Sequence, residues 1–295
     1  MVLPVIGNGR RQFSYEKAAQ TMTTSQTGEP ALSPEIQAQL RPRWGVFISY
    51  SATALVVAAF LSIAYYPAEV QNWTLLFTDA ANMATFIADF LEPNFEDWRI
   101  FLDKMIETIY IALWGTFLSI IFGVPFALLC SSNIAPWWVV QPVRRLMDAA
   151  RAINEIVFAI LFVAAVGLGP FAGVMAIFIH NLGIISKLFS EAVEAIDPRP
   201  VEGVRSTGAS RVQEIIYGVI PQVLPLWSSL TLYRFETNVR SATVLGIVGA
   251  GGIGFTFYES FRAFQYDRAG AIIVVVVVAV MVIDIVSARL RKFLV

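Results

Sequence analysis

The sequence predicts an all-α fold, a polytopic membrane helix bundle of about six transmembrane helices. Composition is the first reason. Of 295 residues, 57% are hydrophobic and 15% charged, with mean hydropathy +0.65, whereas soluble domains are about a quarter charged. The second is six apolar runs, at 44–66, 106–130, 152–166, 171–188, 224–248 and 269–288, most near the ~20 residues that cross a ~30 Å hydrocarbon core. The third is that Lys and Arg gather in alternate connections, the bias that marks cytoplasmic loops.

The elements follow in order. Residues 1–43 are mostly polar and read as a cytoplasmic, partly disordered segment, with 21–34 rich in Thr, Ser, Gly and Pro. They lack the short apolar region and cleavage site of a signal peptide. The first span is 44–66. The connection 67–105 carries Glu69, Asp79, Asp89, Glu92, Glu96, Asp97 and Asp103 against only Arg99 and Lys104, so it reads as extracytoplasmic. Within it, 75–91 has apolar residues at helical spacing, predicting a short surface helix. Basic residues precede the first span (Arg41, Arg43), follow the second (Arg144, Arg145, Arg151), follow the fourth (Lys187, Arg199, Arg205, Arg211) and follow the sixth (Arg289, Arg291, Lys292). Both termini are therefore expected in the cytoplasm. The core is expected at 106–295, with a polar elbow at 198–221.

Composition also excludes functions. One cysteine and one histidine, Cys130 and His180, both in apolar runs, rule out an intrachain disulfide and argue against a Cys/His metal site. A net charge of −1 gives no bulk field for nucleic acid. No Gly-x-x-x-x-Gly-Lys-Ser/Thr occurs, and no nucleophile–base–acid set is visible, so the chain is read as a non-enzyme with no catalytic residue, metal or cofactor of its own. His180 reads as a packed, hydrogen-bonded residue rather than a proton relay, Glu155 as facing water or pairing with Arg151, and Asp284 as pairing with Arg289 or the nearby interface.

The stretch VEGVRSTGASRVQEIIYGVIPQVLP at 201–225 is a polar island between apolar runs. Pro198 and Pro200 are expected to end the preceding helix. A short helix over 201–207 would then hold Glu202 in its first turn, with Glu202 and Arg205 free to pair with each other or with a partner. Gly208 permits the turn out, and Ser210 caps a second helix over 211–219. Pro221 and Pro225 mark re-entry to the membrane. A solvated loop is the plainer alternative.

The fifth run carries Arg234, Glu236, Asn238 and Arg240. Intramembrane charges are costly, so they face partners or water. Helical spacing lets Glu236 and Arg240 neutralise each other, while Arg234 has no such neighbour. Either the set pairs across helices, or an arginine lines the path of an oxyanion, which its planar fork suits. Further on, Gly249, Gly251, Gly252 and Gly254 match GxGxxG without any βαβ context, so a dinucleotide site is rejected. They read as close helix packing or as a backbone nest for an anion beside the pathway.

Longer strings carry a resemblance. Glu202, Gly203 and Val204 stand where ABC importer permeases carry Glu-Ala-Ala; Gly208 stands at the motif glycine, and Gly218, Ile220 and Pro221 at its ending. The stretches GLGPFAGV, KLFSEAVEAID, RSTGASR (with Ala209 and Ser210), IPQVLP and YRFETNVRSATVLGIVGAGGIG resemble the phosphonate-importer permease family across roughly 105–290. The resemblance implies a type I ABC importer permease fold in a bacterial cytoplasmic membrane. It implies a homodimer, since one chain has one elbow. Two ATPase subunits would use ATP and Mg below it, and an extracytoplasmic binding protein would deliver a phosphonate, phosphate or phosphite. On this reading the elbow, 202–205 with Gly208, Ala209, Ser210 and Pro221, is the ATPase-coupling site. Arg234, Glu236, Asn238, Arg240 and the four glycines are then pathway candidates. Another small solute, or an ion-coupled secondary transporter, are the alternatives.

Overall fold

The computed structural model describes residues 23–24, 30–31, 44–78 and 80–294. It divides at Asp79 into two units, Met1–Asp79 and Ala80–Val295, so the second begins well before residue 106. In the first, the strands β1 (Thr23–Thr24) and β2 (Pro30–Ala31) pair antiparallel, Thr23 opposite Ala31. The rest of the segment expected to be disordered lies outside the described residues. Helix α1 (Trp44–Tyr65) follows. Its 22 residues reach about 33 Å at 1.5 Å each, and from Phe47 on its side chains are almost all exposed, as an apolar helix facing lipid would be. A turn of 3-10 helix at Val70–Thr74 leads into α2 (Leu75–Thr78).

The second unit is helical among its described residues. Its order is α3 (Ala80–Leu91), α4 (Trp98–Cys130), α5 (Trp137–Ala152), α6 (Glu155–Val166), α7 (Pro170–Glu194), α8 (Pro198–Ser206), α9 (Arg211–Gln213), α10 (Ile220–Leu245), α11 (Ile253–Arg262) and α12 (Tyr266–Leu294). The surface helix expected at 75–91 is helical on both sides of Asp79, which lies outside the described residues, and α3 packs against α12 where the Phe90 backbone meets Gly270. Helix α4 starts at Trp98, so the acidic connection is shorter than 67–105.

Among the described residues, five helices are long and apolar enough to cross a membrane, and the bent pair α5–α6 makes up to six. The third expected span is the exception. Helix α6 has 12 residues, about 18 Å, and meets α5 at 85°. The bend forms because Ile153 leaves the helix and Asn154 starts a new one, its side chain accepting from the Ile156 N–H at 2.9 Å.

Helices α4 and α7 run parallel in close contact. Gly115 abuts Ile177 and Gly123 abuts Ile185, each leaving no room for a Cβ. One apolar core at the Trp98 end joins Phe101, Ile111, Ile177, Val239, Leu245, Ile253 and Ile272. A second at the Cys130 end joins Ile185, Phe189, Val193, Val223 and Trp227. There Trp227 stacks on Phe189 with centroids 4.6 Å apart and donates from Nε1 to the Phe189 carbonyl at 3.3 Å.

Candidate functional site

The polar island folds as an elbow, built differently from its expectation. Helix α7 ends at Glu194 without proline. Pro198 instead opens α8 at its first position, where no N–H is needed, and Asp197 caps it, Oδ1 accepting from the Arg199 N–H at 3.0 Å. Glu202 therefore lies mid-helix rather than in the first turn. Gly208 takes φ +82° with nothing within 4 Å of where a Cβ would stand, so the glycine is demanded by the turn and not by crowding. Ser210 precedes α9, and the Gln213 side chain accepts from the Ser210 N–H at 2.8 Å, one arm of a capping box. A π-turn at Glu214–Val219 then runs straight into α10. Pro221 sits in the first turn of α10 and Pro225 inside it, so the membrane-re-entry prolines do not break the helix.

Glu214 centres the elbow. Its side chain is 8% exposed and accepts from Arg205 Nε at 2.9 Å, Arg205 Nη2 at 3.0 Å and Arg211 Nη1 at 3.1 Å. Of the two readings open to Glu202, the pair with Arg205 does not form; the turn at Gly208 folds Glu214 onto Arg205, whose fork meets both its oxygens, and that hydrogen bond raises the Arg205 pKa above its ordinary value. Gln222 ties the entry of α8 to α10: its amide donates to the Asp197 carbonyl at 3.2 Å and its Oε1 accepts from the Asp197 N–H at 3.2 Å. Arg211 reaches on to the Ile134 carbonyl at 2.9 Å. Arg144 donates to the Cys130 carbonyl at 2.8 Å and pairs with Glu194. The elbow is thus clamped to the α4–α5 connection. Glu202 is exposed beside a hollow of about 330 Å³ that Arg205, Arg211 and Glu214 also line. On the other side of α8, Gly203, Val204, Gly208, Ala209 and Tyr217 line an open hollow. Val212 is 64% and Tyr217 68% exposed.

The charges of α10 divide into two groups. Arg240 pairs with Glu236 at 2.7 Å and Asp284 at 3.0 Å, and Arg291 pairs with Glu236 at 3.1 Å. This quartet joins α10 to the antiparallel α12, and Asp284 takes Arg240 instead of the expected Arg289. Arg234 donates from Nε to Asn181 Oδ1 at 2.7 Å and from Nη2 to Asn238 Oδ1 at 3.4 Å. Asn238 in turn donates to Thr116 at 2.8 Å. Glu155 bonds Ser241 at 2.6 Å and His180 Nε2 at 2.9 Å, not Arg151, which pairs with Asp148 at 2.8 Å. His180 Nδ1 meets the Ile153 carbonyl at 2.8 Å, so the histidine staples both sides of the α5–α6 bend.

The glycines do not form an anion nest. Glu107 accepts from the Gly252 N–H at 2.9 Å and Thr108 from the Ile253 N–H at 2.8 Å, placing a carboxylate where an anion would sit. Gly249, Gly252 and Gly254 are buried, packed against Leu168, Thr108 and the Thr243 carbonyl. Within the chain Gly249, Gly252 and Gly254 are points of close packing.

Sequence reasoning misses Glu214, Gln222, Arg144 and Asn181. Two signals were present: Glu214 lies three residues after Arg211, and Asn181 is a polar residue inside an apolar run, the pattern that marks a partnered site.

A family model described as "Binding-protein-dependent transport system inner membrane component" matches residues 115–295. The chain is 37% identical over 240 residues to the phosphite transport system permease protein PtxC of Stutzerimonas stutzeri, covering 81% of this chain and 87% of that one. It is 35% identical over 232 residues to the phosphate-import permease protein PhnE of Mycolicibacterium smegmatis, 76% of this chain and 44% of the relative. Among solved structures, the inward-facing MetNI methionine ABC transporter matches with TM-score 0.61 at 20% identity, covering 68% of this chain and 99% of that one.

Proposed function

The chain belongs to the binding-protein-dependent transport system inner membrane component family, and we propose that it is the membrane subunit of an ATP-driven importer of phosphorus oxyanions: phosphite, phosphonates or phosphate. Its fold is that of the type I ABC importer permease. The observation that carries the substrate class is the 37% identity to a phosphite permease across most of both chains.

The mechanism follows from the elbow. Two copies of this chain would present two elbows to two ATPase subunits, which bind ATP and Mg. Helix α8 is fixed to the π-helical start of α10 through Arg205–Glu214 and to α10 through Gln222–Asp197, and α9, the other arm of the elbow, is fixed to the α4–α5 connection through Arg211 and Ile134. A push on α8 is therefore carried into α10 as rigid-body motion. Gly203, Val204, Gly208, Ala209 and Tyr217 line a hollow open to a partner, with Glu202 and Ser210 exposed beside it. A binding protein would deliver the ligand at the opposite face, with both termini of this chain in the cytoplasm. Of the α10 charges, Glu236 and Arg240 are committed to ion pairs, Asn238 is held by Thr116, and Arg234 is left as the contact for a passing oxyanion. Co-expression with the candidate ATPase and binding protein tests this. Reconstituted vesicles should take up phosphite, methylphosphonate or phosphate only with ATP and binding protein, and uptake by this chain alone would refute it.

A further inference from the structure

Resting on that reading, we propose that Arg234 and Asn181 form a transient oxyanion site between α7 and α10. The argument begins with an imbalance of donors. Asn181 is 0% exposed. Its Oδ1 is committed to Arg234 Nε at 2.7 Å, and its Nδ2 has no hydrogen-bond partner. Buried amide groups in native proteins are rarely left so. Arg234 meets only amide oxygens, Asn181 closely and Asn238 at 3.4 Å. No carboxylate pairs with it among the described residues. A charged fork and an unfilled N–H thus lie side by side, with donors in excess. The ligand that completes them is an acceptor-only anion, and a phosphorus oxyanion matches the arginine fork.

The placement of the nearby acids agrees. Glu155 is engaged by His180 at 2.9 Å and by Ser241 at 2.6 Å, and Glu236 by Arg240 and Arg291. Arg234 is thus left without a carboxylate partner of its own among the described residues, and an unpaired charge in an apolar bundle is costly. A passing anion relieves it. The loose Asn238 contact lets the fork turn, which suits passage rather than capture.

The test uses the complete importer in vesicles, with its ATPase and binding protein, and phosphite, methylphosphonate and inorganic phosphate as probes. Asn181→Asp places a carboxylate on Arg234 and removes the unfilled donor. Uptake should fall about tenfold or more, as for loss of a charge-assisted hydrogen bond, while ATPase stimulation by the loaded binding protein is unchanged. Arg234→Lys, which keeps the charge and loses the fork, should fall less. Wild-type uptake in Asn181→Asp overturns the site; so does a parallel loss of uptake and ATPase activity in an intact complex, which marks a packing role. Should that variant not assemble, Asn181→Ser carries the test: slower uptake at unchanged ATPase activity supports the site, and unchanged uptake overturns it. A wild-type importer that carries none of the probes refutes the oxyanion reading itself, whereas one that carries them equally with the variants refutes only the site.

Discussion

Arg205 lays its guanidinium across both oxygens of Glu214, Nε to Oε1 at 2.9 Å and Nη2 to Oε2 at 3.0 Å. The contact fixes α8 to the π-helical turn that leads into α10, so on the proposed coupling role it would be the joint through which an elbow movement reaches the bundle. Glu214→Gln replaces one acceptor oxygen with a donor facing two arginines, Arg205 and Arg211. Uptake should drop severalfold while ATP hydrolysis persists, read as the ratio of substrate carried to ATP consumed. An unchanged ratio removes the joint from the mechanism.

Gly208 gives a second, independent handle on the elbow. Its φ of +82° has open space around it, so any penalty comes from backbone strain alone, about 1–2 kcal/mol for an ordinary residue. Asn tolerates this region and Val does not. Gly208→Asn should retain uptake, while Gly208→Val should lose it with normal membrane insertion and a weakened hold on the ATPase, measured by co-purification. Equal behaviour of the two variants would place the role of Gly208 elsewhere.

How far the sequence discloses this arrangement depends on whether an interaction is local. Span positions are legible because hydropathy over ~20 residues is a property of the chain itself. The run at 152–166 misleads because composition does not register the 85° bend that Asn154 makes by capping a new helix. The start of α8 misleads because proline both ends and begins helices; Asp197 decides, and its capping bond appears only in three dimensions. Arg205 has a local acid at Glu202, yet it binds Glu214, nine residues on, because the turn at Gly208 folds one helix onto the next. Asn181 gives its position away as a polar residue in an apolar run, but its unfilled N–H follows from where Arg234 points.

Gly123 sets the approach of α4 to α7. A Cβ built there would lie 2.8 Å from Ile185 Cγ2 and 3.5 Å from Ile185 Cβ, so Gly123→Ala overpacks the interface at a cost of about 1–3 kcal/mol. Ile185→Ala removes the clashing methyl and alone leaves a cavity costing about 2–5 kcal/mol. The two should be strongly non-additive, the double variant losing clearly less than the sum. Thermal unfolding of the detergent-solubilised protein measures this, and simple additivity would show that α4 and α7 separate freely.

Glu236 and Asp284 both bind Arg240, but their surroundings differ. The Glu236 side chain is 12% exposed and also serves Arg291, whereas Asp284 is 38% exposed. Removing a solvated ion-pair partner changes stability by about 1 kcal/mol or less. Removing a largely buried acid that two arginines share leaves both without their anion, at up to about 3 kcal/mol. Glu236→Gln should therefore lower the unfolding temperature clearly more than Asp284→Asn. High salt should shrink the small Asp284 effect and leave the Glu236 effect standing, because ions screen exposed charges far better than buried ones. Equal losses in the two variants would mean that the quartet is solvated throughout and does not lock α10 to α12.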